Sequence, residues 1–284
     1  MISSLTISKK SISLREDEYK SSTLVLSVSA NAFELAEFTT SPIHIFKVAG
    51  WEFPQQVKDI VELNDYLIQF INEHHLSQKQ FRSVYVNWNG NHFTLMPNSF
   101  FEPEKAGDLL EFNIGKNPDE IILNNEVEEI KLIYSIPSEI KNTLDKLFPH
   151  HQLKHIGYST VKLFFNHFQL KNADLFLNIH HNNIEIAVKK DKKPLLYNLY
   201  STLSDEDILY YLMFTIEQMG LNPASCKISI AANRETSAEI FTAIKKYVKH
   251  VDFAVSDKIF IRKGEMEKIP HHFYFNTFNF LLCE

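Results

Sequence analysis

Leu24-Val25-Leu26-Ser27-Val28 and Leu175-Phe176-Leu177-Asn178-Ile179 stand 151 residues apart, and reading them as one strand written twice decides the fold. Each is an apolar, strand-like run that closes on a small polar residue followed by an aliphatic one. Just beyond, Asn31-Ala32-Phe33-Glu34-Leu35-Ala36 meets Asn182-Asn183-Ile184-Glu185-Ile186-Ala187 at the same offset, with Asn, Glu and Ala coincident. Ile43, Ile45 and Phe46 meet Pro194, Leu196 and Tyr197, which predicts a third strand in each copy at one register.

A helix follows in both copies. The first is expected to start near Pro54, with Val57, Ile60, Val61, Leu63, Leu67, Ile68 and Ile71 as its apolar stripe. The second opens on Ser204 with Asp207 three residues on, an N-cap with first-turn acids. It carries Ile208, Tyr211, Leu212, Phe214 and Met219 before Gly220 ends it. Val84-Tyr85-Val86 and Ile228-Ser229-Ile230 then give a fourth strand at offset 144, the first copy having the longer connection. Each half therefore reads as a three-stranded meander, a crossover helix and a strand returning to the same sheet: an α/β chain made of two related mixed-sheet units.

Between the copies lie a Trp88-Asn89-Gly90-Asn91 turn into Phe93 to Met96, a helix from about Asn98, and strands near Ile121 and over Ile130 to Ile136. A helix after Pro137 and a connecting helix from Tyr158 to Phe168 complete the stretch. The second copy continues with a helix from Glu235 to Lys249 and a strand at Val251 to Ala254. The expected domains are 1–171, with inserted elements over about 92–136, and 172–284.

Composition removes several function classes. The 284 residues are 44% hydrophobic and 23% charged, those of an ordinary globular chain. The seven glycines fall at 50, 90, 107, 115, 157, 220 and 264, never closer than eight apart. That excludes the Rossmann fingerprint, the Walker A loop, the kinase glycine loop and the nucleophile elbow, which all need closely spaced glycines. The longest apolar run, Ile208 to Ile216, is far short of the roughly 20 residues of a membrane helix. No secretory leader is read at Met1, and Cys226 and Cys283 read as reduced thiols, so the cytoplasm is expected. A net charge of -6 opposes nucleic-acid binding. The lysines at 189, 190, 192 and 193 read as a solvated hairpin turn, and those at 245, 246 and 249 as cations near a helix C-terminus.

A duplicated meander-helix-strand unit resembles the actin, heat-shock chaperone and sugar-kinase superfamily. The chain is similar to an uncharacterised Bacteroidota family with an actin-like ATPase fold, a resemblance also carried by Phe93-Thr94-Leu95-Met96-Pro97-Asn98-Ser99-Phe100 and the terminal Leu282-Cys283-Glu284. It implies RNase H-like domains of βββαβα order facing across a nucleotide cleft. In that superfamily the first hairpin of each half carries Asp-x-Gly, the glycine admitting phosphate to backbone amides and the aspartate serving Mg²⁺ or water. Here the first hairpin reads Ser27-Val28-Ser29-Ala30-Asn31 and the second Asn178-Ile179-His180-His181-Asn182, without aspartate or glycine, and the adenosine-contacting glycines fall at Ala231-Ala232-Asn233.

The resemblance therefore implies a protein that does not hydrolyse ATP at a rate typical of the superfamily and has no catalytic residues to name. Ser27, Ser29, Asn31, Asn178, His180, His181, Asn182 and Asn233 would line the cleft with hydrogen-bonding groups, leaving room for weak ATP affinity but no required cofactor. The leading expectation is a scaffold that contacts a protein partner; the alternative is a nucleotide-binding switch. An enzyme on an unrelated substrate, using His180, His181 or an unplaced acid, is a third reading.

Thirteen histidines invite a metal reading, but His150, His151 and His155 have no carboxylate or thiol nearby to complete a tetrahedral set, and no metal site is expected. His180 and His181 read as exposed turn residues. The acids at 16–18, at 126, 128 and 129, and at 205–207 read as solvated surface or helix-start chemistry. The stretch from His271 to Leu282 packs five aromatics and two leucines into twelve residues. It either docks on its own domain or forms a partner-facing surface.

Overall fold

Leu26 pairs with Leu35, and 151 residues later Leu177 pairs with Ile186; the hairpin has the same register in both copies. The computed structural model describes residues 8–13, 22–39, 41–115, 119–167, 170, 172–191, 193–232, 237–255 and 259–283. Two compact units emerge, 1–158 with 259–268 and 159–258 with 269–284. The division precedes the expected 171/172 break because most of the connecting helix belongs with the second unit, where Thr160 donates a hydrogen bond to Glu185. Residues 259–268 return to the first unit, where Ile45 and Ile261 exchange backbone hydrogen bonds with the Ile261 and Ile43 carbonyls.

In the first unit, β2 (Ser22–Ser29), β3 (Ala32–Phe38) and β4 (Ile45–Glu52) form the meander. Helix α1 (Ile60–Glu73) leads to β5 (Phe81–Asn89), which pairs parallel with β2. The helix starts six residues after Pro54, because Asp59 supplies the cap: its carboxylate accepts from the Val61 and Glu62 amides. Val61, assigned to the apolar stripe, is exposed. Two strands extend the sheet to the order β1-β4-β3-β2-β5-β9: β1 (Ser8–Ser13) at one edge and β9 (Gln152–His155) at the other. A second, three-stranded sheet has the order β6-β8-β7, from β6 (Phe93–Pro97), β7 (Glu120–Val127) and β8 (Ile130–Pro137). It carries α2 (Ala106–Ile114), which begins later than the helix expected from Asn98; residues 98–100 form a single 3₁₀ turn. Helix α3 (Ser138–Leu147) packs with α1, and Phe33, Trp51, Phe70 and Tyr134 belong to one core with them.

The second unit repeats the meander as β10 (Leu175–Ile179), β11 (Asn183–Lys190) and β12 (Lys193–Ser201). Helix α5 (Asp205–Gln218) follows α4 (Ile156–Asn166) in helix order and leads to β13 (Lys227–Ala232), parallel to β10. The Ser204 to Asp207 capping box is present as expected. Helix α6 (Ser237–Ile244) and β14 (His250–Phe253) complete the sheet order β12-β11-β10-β13-β14.

One element of the repeat departs from its expected register. Ala36 pairs with Val48 but Ala187 pairs with Tyr197, so the third strands correspond at 149 rather than 151. Six residues connect β3 to β4 against two between β11 and β12. A two-residue slip keeps every side chain on its face, so alternation alone cannot reveal it.

The aromatic tail is core of the second unit. Its helix α7 (Phe275–Asn279) is wholly buried, Phe275, Phe278 and Phe280 are fully so, and Phe275 lies 5.4 Å from Phe176. Lys189 is likewise not part of a solvated turn. Its ammonium is buried and donates to the carbonyls of Phe164 (2.6 Å) and Leu170 (2.9 Å) where α4 ends, and burial pushes its pKa down to about 8. No helix among the described residues is long and apolar enough to cross a membrane.

Candidate functional site

The first hairpin turns from β2 to β3 through Ser29, Ala30 and Asn31. Ser29 Oγ accepts from the backbone amides of Asn31 (3.1 Å) and Ala32 (2.9 Å) and donates to the Ala32 carbonyl (3.0 Å). The carbonyls of Ala30 and Asn31 accept from Val57 (2.8 Å) and Phe53 (2.9 Å). The amides of Asn31 and Ala32 on this turn are therefore already bonded to a side chain of their own turn. Ser27 is half-buried and pairs across the ladder with Glu34.

The second hairpin is closed differently. Asn178 and Glu185 hold the ladder position of Ser27 and Glu34, but Glu185 is fully buried. Its Oε1 accepts from Asn178 Nδ2 (2.8 Å), Asn276 Nδ2 (3.2 Å) and the His180 ring (2.5 Å); its Oε2 accepts from the Tyr197 hydroxyl (2.8 Å) and the Thr160 hydroxyl. Burial pulls the carboxyl pKa up, but the hydrogen bond and charge of His180, with Thr160 and Tyr197, hold it below the ordinary range. Burial, with Glu185 beside it, drives the Tyr197 phenol well above its usual value. His180, read from sequence as an exposed turn residue, is buried because this carboxylate takes its ring. His181 and Asn182 sit half-buried on the turn, where Asn182 has φ 60° and its carbonyl accepts from Thr202 (3.0 Å). Asn233 lies outside the described residues, as do the acids at 16–18.

A cavity of about 380 Å³ lies within the first unit beyond the ends of β2 and β5, lined among others by Asn31, Trp88, Asn89, His92 and Glu120. Glu120 accepts from the Ser135 hydroxyl and faces His92 Nδ1 at 3.1 Å, which fixes the proton of a neutral imidazole on Nδ1. Ser135 donates to the Glu120 carboxylate, which stands between the hydroxyl and the His92 imidazole. Among the described residues no three histidine, cysteine or acidic side chains group as metal ligands. His155 is buried, its Nε2 bonded to the Gly90 carbonyl (2.8 Å) and its Nδ1 accepting from the Gly157 amide (3.0 Å). Cys226 is buried with its thiol pKa pushed up by burial, then by Asp174, which leaves it a poor nucleophile.

The profile of the family described as "Protein of unknown function (DUF3822)" matches residues 12–251. The chain belongs to the DUF3822 family. No curated protein matches it. Its fold is similar to that of a Bacteroides thetaiotaomicron protein with actin-like ATPase fold and unknown function, at TM-score 0.71 and 19% identity, covering 85% of this chain and 93% of that one. It is also similar to the PilM-PilN type IV pilus biogenesis complex, at TM-score 0.63 and 13% identity, covering 93% and 97%. At these identities the likeness shows the fold: this DUF3822 member has the actin-like ATPase architecture. Within it, the sequence analysis missed Glu185 and its partners Thr160, Tyr197 and Asn276. One signal was present, a carboxylate set between Ile184 and Ile186 in the run Ile184 to Val188, whose other residues are apolar.

Proposed function

We propose that this DUF3822 protein is a cytoplasmic, non-hydrolysing actin-fold scaffold that serves a protein partner. One observation carries the reading: in the first hairpin the amides of Asn31 and Ala32 are hydrogen-bonded to Ser29 Oγ, and in the second the side chains of Asn178 and His180 are hydrogen-bonded to Glu185, all inside their own unit. A carboxylate is needed to position Mg²⁺ or water for phosphoryl transfer, and Glu185 is spoken for by five donors. The second similar structure is a complex between proteins, which supports a partner-binding use of this fold. The Bacteroides likeness supports a Bacteroidota source, and two buried free thiols support a reducing compartment.

Phosphate release from Mg-ATP tests the reading. The expected result is no release above the protein-free blank, with no heat on titration of ATP. Turnover above about 0.1 s⁻¹, still slower than typical enzymes, that is lost in Asn178→Ala would overturn it. Metal-dependent micromolar binding without turnover would instead favour the nucleotide switch.

A further inference from the structure

Helix α5 is apolar on two sides, and only one of them is used. Ile208, Leu212, Thr215 and Ile216 are buried, whereas Tyr210 is 62% and Phe214 43% exposed. Phe214 was expected in the core stripe; it lies instead in a second stripe, Glu206, Tyr210, Met213, Phe214 and Glu217, at i, i+4, i+7, i+8 and i+11, which is one line along a helix. This stripe forms one wall of a groove of about 840 Å³ whose other wall includes Leu221, Pro223 and the exposed Tyr247. The rings of Tyr210 and Phe214 stack at 6.0 Å, so that wall is preassembled.

Charge defines the occupant. Glu206 and Glu217 stand at the two ends of the apolar line, eleven residues or about 16 Å apart at 1.5 Å per residue. No cation lines the groove, and neither carboxylate has an ion-pair partner among the described residues. The walls are a helix and connecting segments, with no open strand edge on which an extended peptide could add. We propose that this groove docks an amphipathic helix of a partner protein. Its apolar face covers Tyr210, Met213 and Phe214, and two cationic side chains eleven residues apart meet Glu206 and Glu217. The proposal rests on the scaffold reading and gives it a surface and a partner chemistry.

The probe is a fluorescein-labelled helical peptide of about eighteen residues, five turns, with leucines at spacings of three and four and two lysines eleven apart. A second peptide carries glutamates in place of the lysines, and a third has two central prolines. Fluorescence anisotropy with the full chain is expected to show micromolar binding of the lysine peptide alone. Phe214→Ser, with unchanged melting, should weaken it at least about tenfold, as loss of a central aromatic contact does. The double variant Glu206→Lys/Glu217→Lys should exchange the preference to the glutamate peptide. Equal binding of all three peptides, indifference to Phe214→Ser, or no binding at all overturns the proposal. So does sedimentation showing a dimer that Phe214→Ser splits, since the occupant is then a second copy. Silence in the peptide assay together with silence in the phosphate assay removes the groove and leaves the scaffold reading standing; ATP turnover removes that reading whatever the peptides do.

Discussion

Replacing Glu185 by Gln should destabilise the second unit by about 2–4 kcal/mol. Five donors converge on this buried carboxylate. Hydrogen bonds to charged acceptors are worth roughly 1.5–3 kcal/mol against 0.5–1.5 for neutral ones, so neutralising the acceptor loses about 1 kcal/mol at each. The reduced cost of burying a neutral amide returns part of that sum. The glutamine oxygen can still serve Asn178, His180 and Asn276, and its NH₂ then meets the hydroxyls of Thr160 and Tyr197, which can rotate to accept. Glu185→Leu has no such rescue. It strands five buried donors at about 1–3 kcal/mol each, comparable with the whole stability of a domain, about 5–15 kcal/mol. Urea unfolding followed by far-UV circular dichroism measures the loss. Trp51 and Trp88, the two tryptophans, both belong to the first unit, so their emission reports that unit separately. Because the folded pKa of Glu185 lies below the unfolded 4.5, its contribution is present above pH 4.5 and disappears as pH falls through the folded value. The gap between wild type and Glu185→Gln should narrow over that window. A dichroism midpoint for Glu185→Gln within about 0.5 kcal/mol of wild type at pH 7, with the same slope, would refute an ionised carboxylate holding the hairpin.

Two further perturbations test other parts of the molecule. Truncation after Pro270 removes Phe275, Phe278 and Phe280, fully buried side chains each worth about 3–5 kcal/mol; the second unit should lose its dichroism transition, and a shortened chain that melts as before would show that the tail is not core. His74 is buried, and burial, followed by the Lys47 charge, depresses its pKa from 6.5 to about 4, so the unfolded state binds the extra proton first as pH falls. The first unit should therefore lose about 3 kcal/mol between pH 6.5 and 4, measured by tryptophan emission in urea, and His74→Phe should flatten that slope; an unchanged slope would assign the acid sensitivity elsewhere.

Much of this architecture is legible in the sequence because two short hairpins kept both their alternation and their register, Leu26 on Leu35 and Leu177 on Ile186. Period-two reading is blind to other features. It cannot see the two-residue slip of the third strand, and it passes over β1, whose Ser-Lys-Lys-Ser sequence is exposed and gains its strand from pairing with β4 alone. The Glu185 network is assembled from Thr160, Asn178, His180, Tyr197 and Asn276, spread over more than a hundred residues, and nothing local ties Asn276 in the aromatic tail to a carboxylate 91 positions earlier. Phe214 was misplaced for a related reason. Apolar residues nearly all round α5 satisfy a core stripe on more than one face, and only packing shows which face is left over.

The two hairpins descend from one pattern yet close in different ways, and the difference lies in what covers them. At the shared ladder position the first unit has Ser27 across from a half-buried Glu34, and the turn is closed locally by Ser29. In the second unit Thr160 on α4 and Asn276 on α7 lie over the same position, and Asn276 also donates to the Thr160 hydroxyl at 2.6 Å. A carboxylate under that cover must be met by donors from every side, because an unpaired buried charge costs several kcal/mol. Asn178 and His180, the residues that most resembled ligand donors, are thereby drawn inward. The inward turn of the second hairpin's polar side chains thus goes with the tail docked on the carboxylate they meet.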